Sequence, residues 1–380
     1  MNANIKEVTF NHVVLEGTAY EAGKMQGEWI RQIPPYAKVM TSLPEGMPPL
    51  SEKAAAGMLE TFDKYCPGLN EEIRGFADGL GVKPEQVAYY LNSLKAKGAC
   101  SQMAILPKAV KNGHTYVGRS YEWSLEDDMR LCTTRIKGKA AHTGFSVFLF
   151  GRLDGMNEHG LCVTMSAGTP GTEPQENGFM FWAIIRRILD TCRNIDEALE
   201  VIAEMPTSFN WNLVLTHKSG EAALVEIACS HRAVKRIGPN SDERFVCATN
   251  QYMLPDMLEY DTGRMWQSVA RYNVIKQRLE AAGSDVNAEL IRSILSNRLP
   301  DGVCCHHYSD WLGTLWSIIY DVTEGNMEVC FGSPQVNPWR TFTAGGNNRP
   351  GSFAVKIPDE PTPNPESFYR KLKPGEDIVL

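Results

Sequence analysis

Gly98-Ala99-Cys100-Ser101 decides how this chain is read. After a short apolar segment come Gly113-His114-Thr115-Tyr116-Val117-Gly118-Arg119 and then Ser120-Tyr121-Glu122-Trp123. Gly98 and Ala99 leave the peptide bond before Cys100 sterically open, and a Gly turn and a β-run follow the short apolar segment after the cysteine. That order suits a cysteine made N-terminal by a cut in front of it. Such a residue carries its own thiol (pKa roughly 8.5) and its own α-amine (roughly 8), so nucleophile and base come from one residue. Residues 1–99 are then expected to be a pro-segment or small subunit. Residues 100–357 are expected to form the catalytic core, and 358–380 a Pro-rich C-terminal tail.

Composition bounds the rest. At 380 residues, with 43% hydrophobic and 22% charged residues, the chain has the make-up of a globular protein with a large core. A net charge of −7 argues against a nucleic-acid or anionic-membrane partner. No apolar run approaches the ~20 residues of a membrane span. The start, Met1-Asn2-Ala3-Asn4-Ile5-Lys6-Glu7, lacks the apolar core of a signal peptide, so a cytoplasmic location is expected. The ten cysteines lie in apolar strings such as Leu161-Cys162-Val163 and read mostly as buried small hydrophobes. In the tail, Pro361, Pro363 and Pro365 alternate with polar residues and predict a segment wrapping the surface.

The first hundred residues read mainly helical. Ala19–Gly27 has small residues at helical spacing, which permits close helix packing, and Leu69–Ala77 and Pro84–Leu91 follow. After Cys100 the texture becomes β. Runs at Thr115–Gly118, Leu131–Ile136, Phe145–Phe150 and Leu161–Ser166 precede helices at Phe179–Cys192 and Ile195–Glu204. Strands return at Asn212–His217, Ala222–Cys229 and Phe245–Thr249, then helices at Met265–Ala281 and Ala288–Ser296, then strands at Thr314–Tyr320 and Met327–Phe331. Short turns between strands imply antiparallel pairing, and strand blocks separated by helix pairs imply sheets covered by helices, an α+β layered fold.

Each candidate site residue has an ordinary reading beside its functional one. Cys100 is a buried thiol or a nucleophile. Arg119 and Glu122 are a surface ion pair, or else Arg119 lowers the thiol pKa while Glu122 accepts from the new α-amine. Asp154-Gly155-Met156-Asn157-Glu158-His159-Gly160-Leu161 is first a hairpin turn, yet Asn157 could present its amide to an oxyanion. Asn250, after Phe245–Thr249, is a strand stop or a second oxyanion donor. Arg271, inside a helix, is solvated unless a carboxylate or thiolate holds it. Cys304-Cys305-His306-His307 is too tightly spaced for a zinc site and reads as a packed or substrate-lining segment.

Taken together, Cys100-Ser101, Gly118–Trp123, Gly155–Leu161, Thr249-Asn250, Ser268–Tyr272 and Gly313–Asp321 resemble the acyl-coenzyme A:6-aminopenicillanic acid acyltransferase family. More distantly they resemble choloylglycine hydrolases and penicillin V acylases. The resemblance covers nearly the whole chain, and the shared order of the motifs carries it. It implies an N-terminal nucleophile hydrolase, a four-layer αββα sandwich of two antiparallel sheets, self-cleaved between Ala99 and Cys100. Cys100 would be the nucleophile, with Arg119 and Glu122 flanking it. Asn157 and Asn250 would be the oxyanion-hole and amine-contacting asparagines, and Arg271 a second, thiolate-side arginine. Two positions depart from the pattern: Glu122 stands where aspartate is usual, and Ala99 where glycine is frequent.

The expected activity is hydrolysis of N-acyl amides through a thioester acyl-enzyme, with Asn250 and a backbone N–H on the oxyanion. An acyltransferase passing the acyl group to an amine is the alternative. An uncleaved non-catalytic or metal-binding protein of the same shape is the rival from another class. No cofactor and no metal is expected. The partners expected are a small-molecule substrate and the chain's own pro-segment, with oligomerisation left open.

Overall fold

The computed structural model describes residues 4–34, 37–38, 51–87, 99–125, 130–146, 150–169, 178–373, 376 and 378. Gly98, the end of the helix expected at Pro84–Leu91, and residues 147–149 of the strand expected at Phe145–Phe150 lie outside them.

Two sheets pack face to face, each with helices on its outer side. The first holds nine strands in the order β10-β9-β8-β7-β6-β5-β4-β1-β16. These are β1 (Asn4–Gly17), β4 (Arg130–Ile136), β5 (His142–Ser146), β6 (Asp154–Asn157) and β7 (Leu161–Ala167), then β8 (Asn210–His217), β9 (Glu221–Ala228), β10 (His231–Ile237) and β16 (Gly351–Asp359). The second runs β11-β2-β3-β13-β14-β15, with β12 paired to β13. Its strands are β2 (Ala99–Ile105), β3 (Tyr116–Trp123), β11 (Phe245–Ala248), β12 (His306–His307), β13 (Leu312–Asp321), β14 (Asn326–Phe331) and β15 (Trp339–Thr343). Pairing is antiparallel except between β1 and β4, which run parallel. The αββα sandwich expected from the sequence is the fold.

Helix faces explain the layers. α4 (Phe181–Thr191) and α5 (Ile195–Glu204) cover the first sheet, and α6 (Trp266–Ala282) and α7 (Ala288–Ser296) cover the second. In α5, Ile195, Ala198, Val201 and Ile202 are buried, the i, i+3, i+4 stripe of a one-sided helix. Asn194 starts it by accepting the Glu197 N–H, and Asn287 caps α7 in the same way through Leu290. Both helix boundaries match the sequence reading because cap and stripe are both local signals.

The N-terminal region departs from that reading. It contains α1 (Ala19–Arg31), α2 (Glu52–Tyr65) and α3 (Leu69–Leu80), but it opens with β1, paired to β4 on one side and β16 on the other. The small residues of α1 do what their spacing suggested. A Cβ on Gly23 would come within 1.9 Å of the Glu72 carbonyl oxygen, and one on Gly75 within 2.0 Å of that of Tyr20. This close approach lays α3 against the core, where Glu72 accepts from Gln26 at 2.9 Å and pairs with Arg186 of α4 at 2.9 Å. Arg186 also reaches Asp190 at 2.8 Å, and all three charged groups are buried.

Removing one partner of a buried pair leaves a charge without compensation, which typically costs about 3 kcal/mol or more. In Glu72→Ala, Arg186 keeps Asp190 while Gln26 loses its acceptor, so the free energy of unfolding, measured in urea, should fall by about 2 kcal/mol, between the cost of an exposed pair and that of a fully uncompensated one. A change below about 1 kcal/mol, the size of an exposed pair, would show that the pair does not hold α3 to the core. Among the described residues, no helix is long and apolar enough to cross a membrane.

Candidate active site

Strand alternation decides which residues can meet Cys100. In the β2–β3 pair, Cys100 lies opposite Tyr121 and Ala99 opposite Glu122. Cross-strand partners share a face, so Cys100, Arg119 and Tyr121 point between the sheets, whereas Ser101 and Glu122 point toward α6. Arg119 and Glu122, an odd number of residues apart, therefore flank Cys100 from opposite sides.

On the inner side, Arg119 donates from Nη2 to the Cys100 Sγ at 3.4 Å and from Nη1 to the Ser120 carbonyl at 2.6 Å. Its Nε lies 3.4 Å from Asp154 Oδ2. Asp154 accepts from Trp316 Nε1 at 3.0 Å, the Tyr320 hydroxyl at 3.3 Å and the Phe145 N–H at 3.1 Å. Phe145, Trp316 and Tyr121 stack, with centroids 4.0 and 4.2 Å apart, and the guanidinium lies 5.5 Å from the Tyr121 centroid. The arginine is thus fixed by a carboxylate and an aromatic stack before it meets sulfur. Gln102, also on this face, donates to Ser166 at 3.1 Å and accepts from Thr164 at 2.6 Å, bracing β2 against β7.

On the outer side, Arg271 of α6 donates to the Cys100 carbonyl at 2.6 Å, the Ser101 hydroxyl at 2.9 Å and Asn250 Oδ1 at 2.8 Å. Gln267, one helical turn earlier, accepts from it at 2.6 Å. Glu122 lies 3.9 Å from Arg271 and accepts from Ser120 and, at 3.4 Å, from Thr314. Asn250 Oδ1 also accepts the Cys100 N–H at 3.0 Å, while its Nδ2 donates to the Ala167 carbonyl at 2.9 Å. Two donors converge on one Asn250 oxygen, which fixes the orientation of the amide.

Burial sets the protonation states. It pushes the Cys100 thiol above its ordinary value, with Arg119 as the largest opposing influence. It pushes Glu122 up to about 7, opposed by Arg271, Ser120 and Arg119. A carboxyl raised on folding binds more protons in the native state between its unfolded value near 4.5 and about 7. Its contribution to stability therefore falls as pH rises through that window. Glu122→Gln should then raise Tm relative to the parent more at pH 8 than at pH 5. An equal Tm change at both pH values, by calorimetry, would show that Glu122 does not titrate there.

The structure brings together Ala99, Cys100, Arg119, Glu122, Asn250 and Arg271, but not Asn157. That side chain sits at the β6–β7 turn, donating to the Leu189 and Cys192 carbonyls at 3.2 and 2.8 Å. It accepts the N–H groups of His159 and Leu161. Its hydrogen-bonding capacity ties the hairpin to the end of α4, so the turn reading applies. Arg271 also differs from expectation: it grips the Cys100 backbone, not the thiol, because α6 covers the face to which Ser101 points. Asn250 meets the Cys100 nitrogen with its carbonyl oxygen, so its amide N–H₂ is not directed there as an oxyanion donor. Cys304 and His306 pack on Ser333, with His306 Nε2 2.7 Å from the Ser333 hydroxyl, and His307 meets the Glu360 carbonyl at 3.1 Å.

Sequence reasoning missed Asp154 and Gln267. Gln267 was accessible as the i−4 neighbour of Arg271. Asp154 was hidden inside the hairpin motif, and its role depends on the two sheets meeting. Beside the Ala99–Cys100 bond lies a cavity of about 320 Å³, bordered by Ala99, Ala167, Gly168, Phe209 and Asn250, with Trp123 and Trp311 farther along its wall.

Residues 109–336 match the sequence pattern of the acyl-coenzyme A:6-aminopenicillanic acid acyl-transferase family. The chain belongs to that family. It is an enzyme, and its general chemistry is acyl-amide hydrolysis or transfer. No curated protein matches it in sequence. Among solved structures it is similar to penicillin V acylase from Agrobacterium tumefaciens, at 16% identity and a TM-score of 0.46 over 74% of this chain and 100% of that one. It is also similar to a variant of conjugated bile acid hydrolase from Clostridium perfringens, at 10% identity and a TM-score of 0.46 over 69% of this chain and 99% of that one.

Proposed function

We propose that this enzyme is a self-activating amidohydrolase with Cys100 as its N-terminal nucleophile. The observation that carries the reading is the pair of contacts at Cys100: Arg119 at 3.4 Å on the sulfur and Asn250 at 3.0 Å on the nitrogen. One residue is thereby held by both of the groups that the chemistry needs.

In the precursor, the Cys100 sulfur attacks the Ala99 carbonyl carbon. The C–S bond forms, the C–N bond breaks, and the thiol proton ends on the departing nitrogen. Water then cleaves the thioester, leaving an Ala99 carboxylate, the free thiol and an α-amine. In turnover the thiol loses its proton to that amine and attacks a substrate amide. The protonated amine donates to the leaving group, and water releases the acyl group as a carboxylic acid. Arg119 stabilises the thiolate, Asn250 holds the α-amine, and Arg271 fixes the Cys100 carbonyl and Asn250 together. Glu122, 3.9 Å from Arg271, supplies a buried counter-charge to it only when ionised, above about pH 7.

After the cut, the 1–99 fragment remains bound as a subunit, because β1 is paired on both edges and α3 is anchored through Glu72. An apolar cavity beside the nucleophile suits an uncharged acyl group. Transfer of that group to an added amine is the competing outcome, favoured by the family's own description.

Intact mass under denaturing conditions, followed by a screen of N-acyl 4-nitroanilides, tests the reading. Two fragments divided at Ala99–Cys100, and nitroaniline release abolished by iodoacetamide, are expected. Adding hydroxylamine reports transfer as hydroxamate formation. A single unprocessed chain that hydrolyses no amide would overturn the reading.

A further inference from the structure

The alternating prolines after Pro358 predicted a segment that wraps the surface. The segment does more than wrap: its Tyr369 lines the cavity bordered by Ala99. Glu360 anchors its start, accepting from Arg298 at 2.7 Å and donating its N–H to the His306 carbonyl at 2.9 Å. Thr362 donates from its N–H and hydroxyl to Asp310 Oδ2 at 3.2 and 2.5 Å. Phe368 is buried against Ala99, Cys305 and Leu312, with its ring meeting Trp266 and His307. Beyond it, Trp266 N–H donates to the Arg370 carbonyl at 2.9 Å, and Leu372 N–H to that of Arg264 at 3.0 Å. The strap is therefore fastened at both ends, to the start of α6 and to the turn before β13.

Between these fastenings, Tyr369 forms part of the cavity wall, its hydroxyl 3.3 Å from the Asp310 carbonyl. Across the turn is Trp311, 48% exposed and held at φ +63°, a left-handed conformation that a bulky residue rarely adopts. Its ring meets Trp123 edge-on at 5.2 Å. The cavity thus has a floor of small residues, Ala167 and Gly168, and a rim of aromatic ones. The rim is built from three separate parts of the chain, at Trp123, Trp311 and Tyr369. One part, residues 360–372, lies beyond the stretch 109–336 that defines the family.

We propose that residues 360–372 are a strap that completes the substrate cavity, and that Tyr369 sets which apolar acyl groups it accepts. This rests on the amidohydrolase reading for the identity of the ligand. The wall also carries Asn250, Gln267, Ser268 and Asp310, but the Asp310 carboxylate is engaged by Thr362 and the exposed surface of the cavity comes mostly from the aromatic and aliphatic side chains, which selects an uncharged aliphatic or arylalkyl acyl group. In the precursor, Ala99 is the acyl residue of the bond to be cut, and it borders this same cavity. The acyl portion of an external substrate therefore has a place to lie once that bond is broken.

The test compares the full-length parent with Tyr369→Ala and Tyr369→Phe. Acetyl, hexanoyl, decanoyl and phenylacetyl 4-nitroanilides are turned over, and binding of the corresponding acids is followed by tryptophan fluorescence. Pocket contacts worth one or two methylenes alter discrimination by roughly 10-fold or more. Tyr369→Ala should shift the decanoyl-to-hexanoyl ratio of kcat/KM by that factor in favour of the longer chain. The ratio of the two acids' Kd values should move the same way, and Tyr369→Phe should keep the parental ratio. A uniform loss across all four substrates, or an unmoved ratio, would overturn the proposal. So would parental protein that binds none of the acids. A shifted Kd ratio in a protein that hydrolyses none of the amides would sustain the strap while overturning the amidohydrolase reading.

Discussion

A Cys100→Ala protein should run as one chain of 42.3 kDa under denaturing conditions and should release amine from amide substrates at roughly 10⁻⁴ of the parental rate or less. The size of the effect follows from one sulfur serving two reactions. The same atom is needed to break the Ala99–Cys100 bond and to form the acyl-enzyme, so its loss blocks maturation and turnover together. The effect is cleanly attributable. The Cys100 side chain is small and fully buried, and its replacement by Ala removes the hydrogen bond from Arg119, while the backbone bonds to Asn250 and Arg271 remain possible. Cys100→Ser separates the two roles further, because a hydroxyl is the weaker nucleophile and retains the shape of the site. It should give slow cleavage in place of none. Intact mass read over days after purification measures this. A Cys100→Ala chain that still divides at Ala99 would remove the sulfur from the account of maturation altogether.

Part of this site was legible in the sequence: Arg119 and Glu122 were read at the end of the β-run that follows the Gly113 turn. The strand that carries Cys100, β2, was not read as one, so the pairing that sets Cys100 against Tyr121 comes from the structure, and the motif resemblance had to bring these residues together. Asn250 and Arg271 were found through motif resemblance, since nothing local announces that α6 lies against β2. The errors have the same root. Asn157 sits in a motif rich in turn formers, and the turn itself uses the whole amide. Arg271 was assigned to the thiol, whereas strand alternation gives the thiol to the inner face and Ser101 to the helix. In the fold, β1 went unseen because Lys6, Glu7, Asn11 and His12 interrupt its apolar residues. Its pairing with β4 and β16 joins residues far apart in the chain. β10 was missed for a different reason: it is an edge strand with exposed charged residues, and carries little apolar signal. The strap's surface course was readable from its prolines, but its contact with the cavity was not.

Arg119→Met should move the pH dependence of Cys100 alkylation upward, because an adjacent cation that favours the thiolate is removed. The sign follows from burial, which already raises the thiol, and from Arg119 being the largest influence opposing it. Maturation should slow in step, since less thiolate is present at neutral pH. The substitution also leaves Asp154 buried without its cation, at a cost of about 3 kcal/mol or more. Loss of activity alone would therefore not distinguish lost chemistry from lost folding. A second substitution does. In Arg119→Met/Asp154→Asn the buried charge is gone, and the amide oxygen, placed where Oδ1 was, can still accept from the Phe145 N–H and the Tyr320 hydroxyl, while Trp316 Nε1 loses its acceptor. That protein should recover part of the stability lost in Arg119→Met, since the uncompensated charge is gone and one buried donor is left unpaired, and none of the thiol acidity. Denaturant unfolding and the pH profile of iodoacetamide reaction, measured on the same three proteins, separate the two terms. A double variant whose alkylation profile returns to that of the parent would mean that the guanidinium does not set the thiol's acidity. The charge balance of the inter-sheet cluster would then be what controls it, with Asp154, not Arg119, as the residue that matters to sulfur.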